Sequence, residues 1–347
     1  MAIDSAAAIN VPEAVIEERV VAAFRKVGTS EASLAAATRA MLHASRLGID
    51  SHGVRLTDHY CRMLAGGRLN KSPNLVVDKR APASAVVDGD DGLGHYAAYK
   101  AMEVACELAH ETGIAAVGVR RSSHLGAAGA YAIAGAERGC IGFATTNTDS
   151  MVALFDGAQR FHGTNPLAFA APVPGRKPWL LDMATSSIPM NRVHLYRSLG
   201  QQLPPGVAAD TEGASVTDPD DVAMLLPLGG TEYGYKGAAL AGVATLLSAI
   251  LMGTTLDGDF IPMFDSPDIS TPRNMGHFFL AIDPASFSGT SAFGTGMLRY
   301  LESLRGAPAR ENAATMAPGD REWKEEERRK REGIPIDIDT ARFLGLA

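Results

Sequence analysis

The chain has 347 residues, a formal net charge of −7 and three cysteines. Its length suits one large domain or two ordinary ones, and its acidic balance excludes a nucleic-acid surface, which gathers Lys and Arg on one face. Cys61, Cys106 and Cys140 form no CxxC pair and no disulfide framework, which points to a reducing, cytoplasmic setting.

Residues 1–20 lack the basic and continuously apolar stretches of a signal peptide, and acidic residues soon interrupt them. Over 11–47, Val15, Val20, Ala23, Phe24 and Val27, then Leu34, Ala37 and Met41, recur at helical spacing. The run Gly48-Ile49-Asp50-Ser51-His52-Gly53-Val54-Arg55 follows. An imidazole, a hydroxyl and a guanidinium within five positions can hold a carboxylate and donate to a neighbouring oxygen, although a helix C-terminal cap uses the same residues.

After Gly66-Gly67 and the turn at Ser72-Pro73, β-branched runs at 75–77 and 85–87 open a mixed α/β region. A dinucleotide fingerprint needs G-x-G-x-x-G after a strand. The glycines from Gly89 to Gly94 are spaced wrongly for that and carry acids where a pyrophosphate would sit, so they read as an acidic turn. A small-residue helix is expected over 96–110, a buried strand over 114–119, a helix over 127–138 and a strand over 141–146. This is a βαβ rhythm, with the crossover helix packed on the sheet.

Ser122-Ser123-His124-Leu125-Gly126 comes directly after the first of those strands, where α/β sheets carry ligand sites, and histidine titrates near neutrality. His124 is thus an acid/base candidate, with a hydrogen-bonded structural histidine as the alternative. Phe155 to Pro166 is turn chemistry, and Asp182 in Leu181-Asp182-Met183-Ala184-Thr185-Ser186 doubles as a possible helix cap. The apolar run 238–252 is shorter than the roughly 20 residues that span a bilayer and reads as a buried helix, so no membrane partner is expected. Helical sequence returns over 289–305, and 322–332 reads as a charged, solvated helix. No metal-ligand spacing and no G-x-S-x-G elbow occurs.

The fold class is therefore α/β, with a helical part over 1–74, a mixed core over 75–288 that binds cofactor and substrate, and a second helical part over 289–347. The two chain ends form one discontinuous helical domain.

In order, GIDSHGVRL, DGDDGLGHYAAYKAM, VRRSSHLGAAGAYA, FDGAQRFHGTNPLAFAAP, LLDMATS, GYKGAAL and GHFFLAIDP resemble the malate/L-lactate dehydrogenase family, which includes ureidoglycolate, sulfolactate and diketogulonate oxidoreductases. The resemblance covers about residues 13–336. It implies a non-Rossmann fold, a homodimer with NAD or NADP in a cleft shared between subunits, and a small 2-oxo or 2-hydroxy acid as substrate. By motif it makes His124 the proton donor and acceptor and places Ser51 and His52 by the substrate. It implies cofactor contacts from Thr148, Asp182, Met183, Ala184, Lys236, Gly237, Gly319, Asp320 and Arg321. The chain departs from the family where Arg55 follows Val54 directly and Leu56 holds the usual arginine position, which leaves Arg55 and Arg192 as alternative carboxylate anchors. His95 stands where glutamine is common. Reduction of a cyclic imino acid and a non-catalytic binding protein of the same fold are the competing functions.

Overall fold

The computed structural model describes residues 8–264 and 266–347. The start of the segment read as lacking a signal peptide, residues 1–7, lies outside the described residues. Three helices open the chain: α1 (Glu13–Lys26), α2 (Glu31–Arg46) and α3 (Thr57–Gly66). Ser30 caps α2 by accepting from Ser33 N, and the buried stripe of α1 is Ile16, Val20 and Phe24, whereas Val15, expected in the apolar series, is exposed. These helices share a core with Ile334, Ile336, Ala341 and Leu344 from the other end of the chain. An antiparallel pairing of Ala8–Val11 with Ile334–Asp337 ties the two ends together.

The central sheet has seven strands in the order Val76–Ala81, Ser84–Asp88, Ile114–Ser122, Met275–Ile282, Ile141–Thr146, Leu167–Ala171 and Trp179–Met183. α4 (Gly94–Thr112) and α5 (Gly129–Glu137) cover one face. The other is covered by α7 (Gly230–Thr245), which follows α6 (Met190–Ser198) in the chain. The period-two alternation of a strand explains both layers: Phe279 and Ala281 face the core under α4 and α5, while Phe278 and Leu280 face α7.

The βαβ expectation needs one correction. The strands Ile114–Ser122 and Ile141–Thr146 run parallel, but they are not neighbours. Met275–Ile282 is inserted between them, antiparallel to both. A strand some 130 residues further along supplies His277, which bridges the two, Nε2 lying 2.9 Å from Ser122 Oγ and Nδ1 2.8 Å from Thr146 Oγ1.

The run 238–252 also differs from expectation. It continues α7 into a wider turn at Leu246–Ile250, and in the single chain Leu240, Val243, Leu246, Ile250 and Leu251 are exposed. A second, four-stranded sheet carries α6, whose one buried residue among those described is Val193, packed with Ile188, Leu203 and Leu225. Burying that side chain is worth about 1.5–3 kcal/mol and is the main apolar hold on α6.

The chain ends with α8 (Thr290–Arg305), α9 (Asp320–Glu332) and α10 (Ile338–Phe343). α8 packs through Leu301 on Val173 and Ala317. α9 is less solvated than its composition suggests, because Glu326 and Arg329 are buried. Among the described residues no helix is long and apolar enough to cross a membrane.

Candidate active site

A cleft of about 1340 Å³ opens between α9, α6, the turns after α2 and the ends of the sheet strands. It gathers Ser51, His52, Arg55, His124, Thr148, Asp182, Met183, Ala184, Arg192 and Arg321.

His124 is held from two sides. Ser123 Oγ accepts from Gly94 N and donates to Gly92 O, both at 2.9 Å, which pins the His124 loop to the start of α4. Gly94 is required there, since a Cβ would lie 2.0 Å from the Ser123 carbonyl oxygen. Inside the loop, His124 Nδ1 lies 2.7 Å from the Tyr60 hydroxyl. That leaves Nε2 for the cleft. Burial, then the neighbouring His52, His95, Arg273 and His59, holds the His124 imidazole well below its ordinary range, so it is neutral at pH 7. Burial also pushes the Tyr60 phenol far up, which keeps it protonated.

His52 sits on a short turn, Asp50–His52, with its ring centroid 5.5 Å from that of His124 and its Nδ1 2.8 Å from Ser51 Oγ. Burial and then Arg55 lower its pKa to about 4. The turn is anchored from the far end of the chain: Arg329 on α9 donates to Asp50 Oδ1 at 2.5 Å and Oδ2 at 2.9 Å, and to Ser45 O at 2.6 Å.

Asp182 ends the last sheet strand, and its Oδ2 accepts from Gly129 N, at the start of α5, at 2.9 Å. A Cβ on Gly129 would lie 2.6 Å from that oxygen, so only glycine permits the approach. Burial raises Asp182 to about 6 against the opposing pull of the Gly129 amide. Thr148 is set by a buried network. Its backbone N donates to Asn165 Oδ1 at 2.9 Å, and Asn165 Nδ2 in turn donates to Asp257 Oδ2 at 2.7 Å. Asp257 also accepts from Gly163 N and Asn147 Nδ2, and so ties the turn-rich segment around Asn165 to the 257 turn.

Five cations line the cleft without ion pairs among the described residues, Arg55, Arg192, Arg321, Lys324 and Arg331; of these Arg55 is exposed and Arg192 lies on α6. Arg192 Nη1 is fully buried and has no hydrogen-bond partner among the described residues, and its guanidinium stands 5.9 Å from the Tyr196 ring.

Four expected positions lie away from this cleft. Lys236 is exposed on α7 beside Tyr233 and Tyr235. Gly237 is pressed on the Leu228 backbone. Gly319 caps α9 against Trp323, and Asp320 is taken by Arg305 at 2.7 Å and by Ala317 N. In the single chain the contacts of these four residues are local. His95 lies under the site and not in it. It is fully buried, its ring is edge-on to Tyr60 at 4.9 Å, and both ring nitrogens lack partners among the described residues. The Gly89–Gly94 turn is the acidic turn expected, with Asp88, Asp90 and Asp91 closing on Arg121.

The sequence reading missed Tyr60, Asp50 with Arg329, and Asp257. Tyr60 is 64 positions from His124 and Arg329 is 279 from Asp50, so no local pattern links them.

Nothing in the cleft contradicts a nicotinamide dinucleotide. Gly126, Ala127, Ala128 and Ala184 give it a flat lining, Asp182 offers a carboxylate for ribose hydroxyls, and Arg321 stands at the rim without an ion pair among the described residues.

The sequence model of malate/L-lactate dehydrogenase matches residues 11–344. The chain is 34% identical to a malate dehydrogenase of Pyrococcus abyssi over 335 residues, covering 94% of this chain and 91% of that one. It is 33% identical to the ureidoglycolate dehydrogenase (NAD(+)) of Escherichia coli O157:H7, covering 85% and 80%. The structure superimposes on Δ1-piperideine-2-carboxylate reductase from Pseudomonas syringae pv. tomato with a TM-score of 0.85, at 28% identity over 98% of this chain and 100% of that one.

Proposed function

The chain belongs to the malate/L-lactate dehydrogenase family, and from that membership we propose that it moves a hydride between NAD(P)H and a small 2-oxo acid or its 2-hydroxy acid, with His124 as general acid and base. The observation that carries this reading is the single free nitrogen of His124, facing the cleft while Tyr60 occupies the other.

When bound, the reduced nicotinamide supplies the hydride for the 2-carbon. The protein's part is to hold the acid and manage one proton. Arg192, which lines the cleft without an ion pair among the described residues, takes the substrate carboxylate, with Arg55 as the second cation. In the oxidising direction neutral His124 accepts the hydroxyl proton at Nε2, while Nδ1–H donates to Tyr60 Oη throughout. In the reducing direction the same Nε2 returns the proton to the developing alkoxide, and the bound carboxylate favours the imidazolium that this step requires. Ser51 fixes the His52 ring next to it. Thr148, Asp182, Met183, Ala184 and Arg321 hold the cofactor.

The exposed apolar stripe of α7 supports a homodimer, since surfaces of this kind are covered by a partner. Lys236 lies on that helix, away from the cleft of its own chain, so its proposed cofactor contact is one made across the interface of a homodimer. The free thiols fit a cytoplasmic setting.

The likeness to piperideine-2-carboxylate reductase favours a second reading, reduction of a cyclic imino acid. A panel of 2-oxo acids and cyclic imines with NADH and with NADPH separates the two. Consumption of reduced cofactor by a 2-oxo acid supports the first reading. Turnover confined to imines replaces it with the second, and cofactor binding with no turnover leaves a binding protein.

A further inference from the structure

Three parts of the chain meet beneath His124, and His95 stands where they meet. It is the second residue of α4 and fully buried, and the Ser123 hydrogen bonds to Gly92 and Gly94 fix that end of α4 to the His124 loop. From α3, the Tyr60 ring meets His95 edge to face, with centroids 4.9 Å apart and 86° between the planes. The same Tyr60 ring lies 24° from the plane of His124, and its hydroxyl is 2.7 Å from His124 Nδ1. The chain then turns at Gly126, where φ is 75°, and comes so close to His95 that a Cβ on Gly126 would lie 3.3 Å from Nε2 and 3.6 Å from Cδ2. His95 therefore borders both the phenol that occupies His124 Nδ1 and the backbone two residues beyond His124.

These are contacts of shape. Neither ring nitrogen of His95 has a hydrogen-bond partner among the described residues, and burial, then His277, lowers its pKa to about 3, so the ring is neutral at pH 7. In a close-packed interior a ring moves only where its neighbours leave room. The Tyr60 hydroxyl is the far end of a rigid side chain, so a small tilt of that ring is enough to break its hydrogen bond to His124. His95 occupies the space into which such a tilt would go. It does not line the cleft, and so acts on the chemistry only through its neighbours.

We propose that His95 is a positioning residue for the reaction: its ring, set between Tyr60 and Gly126, holds the Tyr60 hydroxyl on His124 Nδ1 and so keeps Nε2 aimed into the cleft. The inference rests on the reading of His124 as the acid and base.

The test compares His95→Ala and His95→Gln with the parent chain, after circular dichroism has checked that each is folded. His95→Ala should lower kcat roughly 10- to 100-fold, as misplacing a reacting group by about 1 Å does, with KM for the acid and cofactor affinity near the parent values. His95→Gln, which puts a flat neutral amide of similar reach in the same space, should return most of kcat. If the alanine variant folds poorly, His95→Leu, which fills more of the space but has no flat edge, takes its place. In a Tyr60→Phe background, which lacks the hydroxyl, His95→Ala should cost no more than about twofold further, because both changes remove one hydrogen bond. The readout independent of turnover is the NMR signal of His124 in chain labelled with ¹⁵N at histidine, assigned by its absence from His124→Ala. Tyr60→Phe should move the Nδ1 signal, and His95→Ala should move it in the same direction. An unmoved His124 signal in folded His95→Ala, a loss confined to KM, or losses that multiply in full in the double variant overturns the proposal. A parent chain that turns over neither 2-oxo acids nor imines overturns the proposed reaction instead, and the NMR comparison then still decides whether His95 sets the Tyr60–His124 contact.

Discussion

Arg329 and Asp50, 279 residues apart, form a bidentate ion pair with distances of 2.5 and 2.9 Å, and the arginine side chain has no solvent exposure. The pair joins α9, a wall of the cleft, to the turn that carries Ser51 and His52. Removing Asp50 takes two charge-assisted hydrogen bonds from a buried guanidinium that keeps Glu325 and Ser45 O as partners, and each hydrogen bond to a charged group contributes about 1.5–3 kcal/mol. Asp50→Ala should therefore lower the denaturation midpoint strongly in a urea titration, whereas removing the fully exposed Arg25–Glu31 pair should leave the curve in place. Equal effects of the two changes would remove the anchoring role of Arg329.

His124→Ala should cut turnover by roughly 10²- to 10⁴-fold, the usual contribution of a positioned acid/base. Cofactor affinity, read from the quenching of protein fluorescence, should stay near the parent value. A parallel loss of binding would make His124 a structural residue.

The rate of hydroxy-acid oxidation should carry the mark of the lowered imidazole. Neutral His124 is the active form in that direction, and burial keeps it neutral below its ordinary value of 6.5. The acidic limb of kcat/KM should thus fall below pH 6.5. A half-maximal point at 6.5 itself would mean an unshifted base elsewhere.

Arg192→Ala should raise KM for the acid by roughly 10- to 100-fold, since a hydrogen bond to a charged group contributes about 1.5–3 kcal/mol. Arg55→Ala should do less, because that side chain is exposed. A larger effect at Arg55 would exchange their roles.

Acid should unfold the protein early. His95 and His277 are lowered to about 3, and His52 and His59 to about 4, by burial first. Unfolded, each titrates near 6.5, so below that pH the unfolded chain binds more protons than the folded one and stability falls as pH falls. Each histidine contributes a slope of up to about 1.4 kcal/mol per pH unit between 6.5 and its folded value. Melting temperatures measured from pH 7 to 4.5 should drop steadily, and a flat profile would show that these rings are solvated.

Local pattern alone determined a good part of this protein. The helical spacing of Val20, Ala23 and Phe24 and the apolar run after Gly113 are properties of neighbouring residues, and the helix and strand they specify form where expected. The structure brings the blocks around Ser51, His124 and Asp182, which the family resemblance singled out, to one cleft. Tertiary structure decided what joins across it. The Met275–Ile282 strand enters between two others, Tyr60 occupies His124 Nδ1, and Arg329 reaches Asp50. It also set Lys236, Gly319 and Asp320 apart from the cleft in the single chain. The physical reason is range. Periodicity records which face of an element is apolar, but a side-chain contact depends on the register and packing of elements far apart in the chain, and those are fixed only when the whole core closes.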